Sequence, residues 1–290
     1  MADESLTRLR VGGVPEHFNL PWHLACESGQ FTRSGLDVSW RDCPGGTGEM
    51  CQLLQEGELD LIVALTEGAI SAIDKHKAMR IVQWYVRSPL IWGVHARPDS
   101  SHRCIDDLRG KRFAISRPGS GSHLMAAVMA QQHHWPSDSL EFVTVGNLQG
   151  AVEAFANRQA DGFLWERYTT QPLVERGAMR RIDECPTPWP AFVLCASRES
   201  LADHAGAINT LQGIIQEQCA ALKGLTDLTE LIAQRYQLRH EQVAHWLART
   251  RWACDGEISA DELEPVIASL GSIQQVSSSL TGSDCLAGID

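Results

Sequence analysis

The 290-residue chain contains no apolar run approaching the ~20 residues a membrane-spanning helix needs. It has no CxxC pair and no HxxxH pair, the spacings that most directly build a zinc site. His133 and His134 are adjacent and would point in different directions on a helix. Basic residues are outnumbered, 25 Lys and Arg against 36 Asp and Glu, a net charge of −11. That balance disfavours DNA or RNA binding, where a basic stripe must neutralise phosphates. The opening MADESLTRLRVGGV, with Asp3 and Glu4, lacks a basic segment followed by an apolar one. No secretory signal is read there, which gives a cytoplasmic expectation; a periplasmic location requires that a signal has been removed. No GKS or GKT follows any glycine-rich turn, so nucleoside triphosphate hydrolysis is not expected.

What is present is ordinary globular composition, 43% hydrophobic and 21% charged. The length predicts two domains or lobes rather than one core. Nine cysteines, an odd number, are read as reduced and mostly core residues rather than a disulfide framework.

Strand and helix patterns alternate along the first third. LRVGGV (9–14), LDVSWR (36–41), LDLIVAL (59–65) and MRIVQWYV (79–86) read as strands. Between them lie helices from about Leu20 to Gly29, over TGEMCQLLQEG (47–57) and over EGAISAIDKH. A second α/β unit follows, with strands LIWGVHA (90–96), RFAIS (112–116), LEFVTV (140–145), DGFLW (161–165) and AFVLCAS (191–197). Helices HLMAAVMAQQ and LQGAVEAFANRQ (148–159) separate them. Such alternation implies largely parallel sheets flanked by helices. From Leu201 the pattern is helical, and the Ser/Gly-rich tail SSSLTGSDCLAGID is expected to fray.

The ordered stretches FNLPWHLACESGQFTRSGLDVSWRDCPGGTGEMCQLLQEGELDLIVALTEGAIS, GKRFAISRPGSGSHLMAAVMAQQ and GNLQGAVEAFANRQADGFLWE resemble type II periplasmic-binding-protein-like proteins. The similarity is to ABC-transporter substrate-binding proteins for nitrate, taurine and sulfonates and to binders of thiamine pyrimidine precursors. It covers residues 8 to 276. It implies an α/β, two-lobed type II fold with a ligand cleft, hinge closure and a helical C-terminal segment. The expected division is residues 1–92 for the first part of lobe 1, 93–194 for lobe 2, and 195–290 for lobe 1 completion and the C-terminal helices. The absent signal peptide departs from the family's pattern and puts delivery to a permease in question.

Ligands of parallel α/β sheets gather where strand carboxyl ends meet helix N-termini. Four loops qualify: PEHFNLPW, CPGGTGE, TEGAI and SRPGSGSH. A helix N-terminus offers unpaired N–H groups and partial positive charge, which suits a carboxylate, sulfonate or phosphate. The candidate ligand-binding residues are Phe18, Asn19, Thr47, Glu67, Arg117, Ser120, Gly121, Ser122, His123, Trp165, Glu166 and Trp189. His17 is a further hydrogen-bonding candidate. Phe18, Trp165 and Trp189 offer rings to a flat ligand; Ser120 and Ser122 offer hydroxyls, with simple helix capping as the competing reading. Trp22 fits a core role better.

The function expected is solute binding, of a polar, anionic or heteroaromatic molecule such as a sulfonate or a thiamine-precursor-like pyrimidine. The alternatives are a desulfinase-like or pyrimidine-synthase-like enzyme on the same fold and a cytoplasmic sensor acting through a protein partner. Cys26 and Cys43 lie near candidate loops, yet neither sits in a nucleophile motif, so no catalytic residue is assigned. No metal or cofactor is assigned either. The expected partners are the small molecule and an ABC permease or another protein, for a monomer or weak dimer.

Overall fold

The computed structural model describes residues 6–136 and 139–288. The start of the opening segment, including Asp3 and Glu4, lies outside them. In chain order the elements begin with β1 (Thr7–Gly13), α1 (Leu20–Glu27), α2 (Gln30–Arg33), β2 (Leu36–Asp42) and α3 (Gly46–Gln55). Next come β3 (Leu61–Leu65), α4 (Thr66–His76), β4 (Met79–Ala96), β5 (Arg112–Ile115), α5 (Gly121–Gln132) and β6 (Glu141–Thr144). Then follow α6 (Leu148–Ala156), β7 (Gly162–Glu166), α7 (Gln171–Glu175) and β8 (Arg180–Ser197). The helical remainder is α8 (Arg198–Leu222), α9 (Leu228–Tyr236), α10 (His240–Arg249), α11 (Ala260–Ser272) and α12 (Gly282–Cys285).

The chain divides into two compact units, Met1–Ser88 with Trp189–Asp290, and Pro89–Pro188. The long strands β4 and β8 carry the chain between them. In the first unit the strand order is β2-β1-β3-β8. β1 pairs in parallel with β2 and β3, and β3 pairs antiparallel with β8, Leu61 opposite Ala196 and Leu65 opposite Phe192. Leu9, Val11, Leu61, Ile62 and Val63 are fully buried, which is what a sheet covered on both faces requires. Trp22, Trp84 and Trp246 complete this core. In the second unit the order is β4-β7-β5-β6, with β7 antiparallel to β4 and β5 parallel to both β6 and β7. Its core joins Ala114, Phe155, Phe163, Leu173 and Met179.

Three features differ from the sequence expectation. MRIVQWYV and LIWGVHA form one 18-residue strand that runs through Pro89. The segment RRIDECPTPWP, whose prolines argue against a strand, belongs to β8. Pro186, Pro188 and Pro190 alternate, so their missing N–H groups all fall on one side of an extended chain. Thr187 between them turns its hydroxyl to accept from the Leu90 N–H at 3.0 Å. Finally, the tail does not fray within the described residues. Thr281 and Asp284 form a reciprocal capping box, Cys285 is buried, and the Ala287 N–H donates to the Ile81 carbonyl at 3.0 Å. Gly282 allows that docking, since a side chain there would meet the Ala260 carbonyl oxygen at 2.2 Å.

Candidate functional site

In the first unit, the candidate residues sit where β1, β3 and β8 meet the loops beyond them. After Gly13 the chain turns through Asn19, whose side-chain amide donates to the Val14 carbonyl at 2.7 Å. Asn19 is fully buried and its Oδ1 has no hydrogen-bond partner. The Phe18 carbonyl accepts from both Tyr85 Oη (2.7 Å) and Trp252 Nε1 (2.9 Å), so the loop is pinned from two elements. The Phe18 ring lies 5.0 Å from Phe192 and from Trp246 and is buried with them. It forms part of a packed aromatic wall. His17 stacks on Phe18, and burial pushes its imidazole down to about 3, so the ring is neutral. Trp22 is wholly buried beside Phe31, Trp40 and Tyr85 and belongs to the core.

Thr47, in the first turn of α3, accepts from the Leu65 N–H at 3.1 Å. Its methyl leaves room only for Gly68, whose added Cβ would approach it to 2.7 Å. Glu67 follows at once, in the first turn of α4. Its Oε2 accepts from Trp189 Nε1 at 2.8 Å, and its Oε1 is buried without a partner. Desolvation pushes this carboxyl up to about 7, against the modest opposing pull of its hydrogen bonds. Thr66 ties the same turn to β8 by donating to the Pro190 carbonyl at 2.6 Å. Thr47, Glu67 and Trp189 are thus brought together.

In the second unit, SRPGSGSH is a tight hydrogen-bonded turn. Gly119 takes φ +74°, a left-handed value that favours glycine. Ser120 is the N-cap of α5, its Oγ accepting from the His123 N–H at 3.4 Å. Ser122 is 1% exposed, and its Oγ accepts from the Ser116 N–H at 2.9 Å and lies 3.1 Å from Ser120 Oγ. The His123 Nδ1 accepts from the Gly119 N–H at 3.0 Å. Arg117 is exposed. Gly121 is needed because a Cβ there would meet Trp92 at 2.7 Å. Trp165 stacks on Phe163 at 5.4 Å and meets Trp92 edge-on at 6.5 Å. Glu166 ends β7; its Oε2 accepts from Thr169 N (2.6 Å) and Oγ1 (2.9 Å), while Oε1 is buried without a partner. Burial raises its carboxyl too.

The serine geometry yields an expected result. Ser120→Ala removes a cap and should cost about 1 kcal/mol of stability. Ser122→Ala strands the buried Ser116 N–H and should cost more, about 1–3 kcal/mol. Thermal melting of the two variants checks this order; equal and negligible shifts would refute it.

The family described as Ca3427-like PBP matches residues 92–185. Among solved structures, the Candida albicans CA3427 gene product, described as having the generic periplasmic binding protein fold, is similar at TM-score 0.84 and 25% identity. That match covers 93% of this chain and 90% of the other. The alkanesulfonate-binding protein SsuA of Xanthomonas axonopodis pv. citri, bound to MOPS, gives 0.80 at 17% identity over 97% and 98%. This chain has the periplasmic-binding-protein fold. The aliphatic sulphonate binding protein SsuA of Escherichia coli shares the fold at TM-score 0.76 and 16% identity, covering 98% of this chain and 93% of that one. No curated protein matches the chain.

Within this periplasmic-binding-protein-like fold, several supporting residues escaped the sequence reading. Trp92, Tyr85 and Trp252 hold the candidate loops in place; Trp92 and Tyr85 lie inside apolar runs that read as core, and Trp252, in RTRWACDG, carries no local signal. The cysteines near the loops carry no activation. Cys43 is fully buried, and burial raises both its thiol and that of Cys26, the reverse of what a nucleophile needs. No helix is long and apolar enough to cross a membrane among the described residues. No group of three or more metal-ligating side chains is found there either.

Proposed function

We propose that this protein is a solute-binding protein whose ligand offers hydrogen-bond donors, as an amino-substituted heteroaromatic does. The observation that carries the reading is Glu67: a buried carboxyl, fixed by Trp189 on one oxygen and lacking any partner on the other. Leaving a buried polar atom unpaired costs about 1–3 kcal/mol, and a ligand N–H at Oε1 would recover it. Glu166 repeats the arrangement in the second unit. A sulfonate, wholly an acceptor, suits these two carboxyls poorly unless they are protonated. Thr47, Asn19, Trp165 and the turn around Ser120 are the further contacts in this proposal, and delivery to a permease is the role it fits.

Native mass spectrometry of freshly purified protein should reveal a nitrogen-containing small molecule that returns chemically unchanged after prolonged incubation. The two inter-unit strands serve as the hinge in this reading, so small-angle scattering should show compaction when that molecule is added back. A ligand that saturates the protein yet leaves the scattering profile unchanged would count against closure. Conversion of the ligand would move the protein to the enzymes.

A further inference from the structure

The first unit contains a second concavity unrelated to the loops above. It has a volume of about 620 Å³ and is bounded by the start of β4, the first part of α8 and the chain after α12. Arg80 and Arg198 both line it, with Asn209 and Gln212 adding amide groups and Leu201 and Ile208 an apolar floor. The β3–β8 register fixes its place. Glu67 and Trp189 lie beyond the Leu65–Phe192 end, whereas Arg198 lies beyond the Leu61–Ala196 end. Four strand residues, about 13 Å, separate those ends.

We infer that this cavity is a binding site for an oxyanion, the phosphate or carboxylate group of a small molecule. Among the described residues, neither guanidinium has a carboxylate within ion-pair distance. Arg80 donates only to the Met79 carbonyl, at 2.8 Å. The carboxylate whose charge acts on it, Asp284, accepts on Oδ2 from the Thr281 N–H and hydroxyl at 2.9 and 2.7 Å. Two cations therefore face one concavity in a protein whose net charge is −11. Partial burial and then the Arg198 charge push the Arg80 guanidinium below its ordinary value, and outweigh the opposing pull of Cys285 and Asp284. An oxyanion between them removes that repulsion and matches the planar, multi-donor geometry of arginine.

The positions are held by the fold. The Arg198 N–H donates to the Ala78 carbonyl at 3.0 Å, placing the two arginines on neighbouring chain segments. Gln212 is fixed by donating to the Val82 carbonyl (3.1 Å) and Gln83 Oε1 (3.3 Å). The wall helix also bends here, with His204 at non-helical φ −133°, ψ 26°. The volume exceeds that of a bare inorganic ion and lies within the range of pockets for small organic ligands.

The test uses the full chain, with inorganic phosphate and pyrophosphate as probes and sodium chloride at matched ionic strength as control. Calorimetry should show saturable binding of at least one oxyanion, and thermal melting should rise beyond the chloride control. Arg198→Gln alters an exposed side chain and should leave the anion-free melting temperature level or slightly higher. It should weaken binding about tenfold or more, as loss of a charge-assisted hydrogen bond does. Arg80→Gln should act alike, and Arg198 carries the test if that variant fails to fold. Absence of binding beyond the chloride effect would overturn the site, as would undiminished affinity in Arg198→Gln.

Discussion

As pH falls below about 6.5 the buried rings of His17 and His95 are expected to withdraw stability from the protein, and replacing one of them should remove its share of the pH dependence. Both rings are buried, and desolvation pushes each down to about 3 from an ordinary 6.5. His95 donates from Nδ1 to the Phe163 carbonyl at 3.2 Å, which fixes the neutral tautomer with an unprotonated Nε2. That Nε2 is buried without a hydrogen-bond partner. Between pH 3 and 6.5 the unfolded chain binds a proton at each histidine while the native state does not. Stability from these groups is thus fully present above 6.5 and drains as pH falls. At ~1.4 kcal/mol per pH unit, each histidine withdraws roughly 4–5 kcal/mol over the whole window. Typical domains have only about 5–15 kcal/mol to lose. The carboxylates held low by arginine, Asp60 by Arg10 and Asp161 by Arg112, add to the loss only below about 4. Urea melts between pH 4 and 8 measure the slope. His95→Asn keeps a donor for the Phe163 carbonyl and should flatten the curve even if it is less stable at pH 7. Glu67 and Glu166, whose carboxyls burial raises, take up native protons over the same range and offset part of the wild-type slope, so the test is the difference between wild type and variant. A difference that stays constant from pH 7 to 4 would show that the His95 ring titrates freely.

The alternation from β1 to α4 was legible because short strands and helices there are punctuated by glycines, four of which take the left-handed conformation that glycine favours. β8 was only half legible. Its CPTPWP stretch looks like a break, and only three-dimensional pairing reveals that alternate prolines leave one strand edge intact. The tail misled for a related reason. Serine and glycine read as disorder, whereas Gly282 is small because the Ala260 carbonyl touches it. At the candidate site, Glu67 and Trp189 each stood out by position, but their hydrogen bond joins residues 122 apart. No local pattern encodes such a pair. Ser120 and Ser122 show the opposite limit, since their spacing suits both a ligand and the turn's own backbone. The turn's N–H groups at Ser116 and His123 take up both hydroxyl oxygens as acceptors.

Glu67→Gln is expected to relieve a penalty that grows with pH. The carboxyl ordinarily loses its proton near 4.5, but in the native state it holds it to about 7 because burial disfavours the charge. Between those values the native state binds a proton that the unfolded chain has released. Its contribution is therefore fully present below 4.5 and is lost as pH rises through 7, about 3 kcal/mol in all. Glutamine retains an oxygen for Trp189 Nε1 and cannot ionise. Wild type and variant should match near pH 4.5, and the variant should be more stable by about 3 kcal/mol at pH 8. Comparing the two cancels the histidine slopes. The same residue tests the ligand reading. A ligand N–H at Oε1 favours the ionised carboxylate, so wild-type affinity should rise between pH 6 and 8 and binding should release a proton. Calorimetry in buffers of different ionisation heat detects that release. A sulfonate-like ligand would demand the protonated acid and reverse the slope. Affinity that is flat with pH in wild type, with the stability gap intact, would leave Glu67 buried and titrating but remove it from the site. The carboxyl would then be structural.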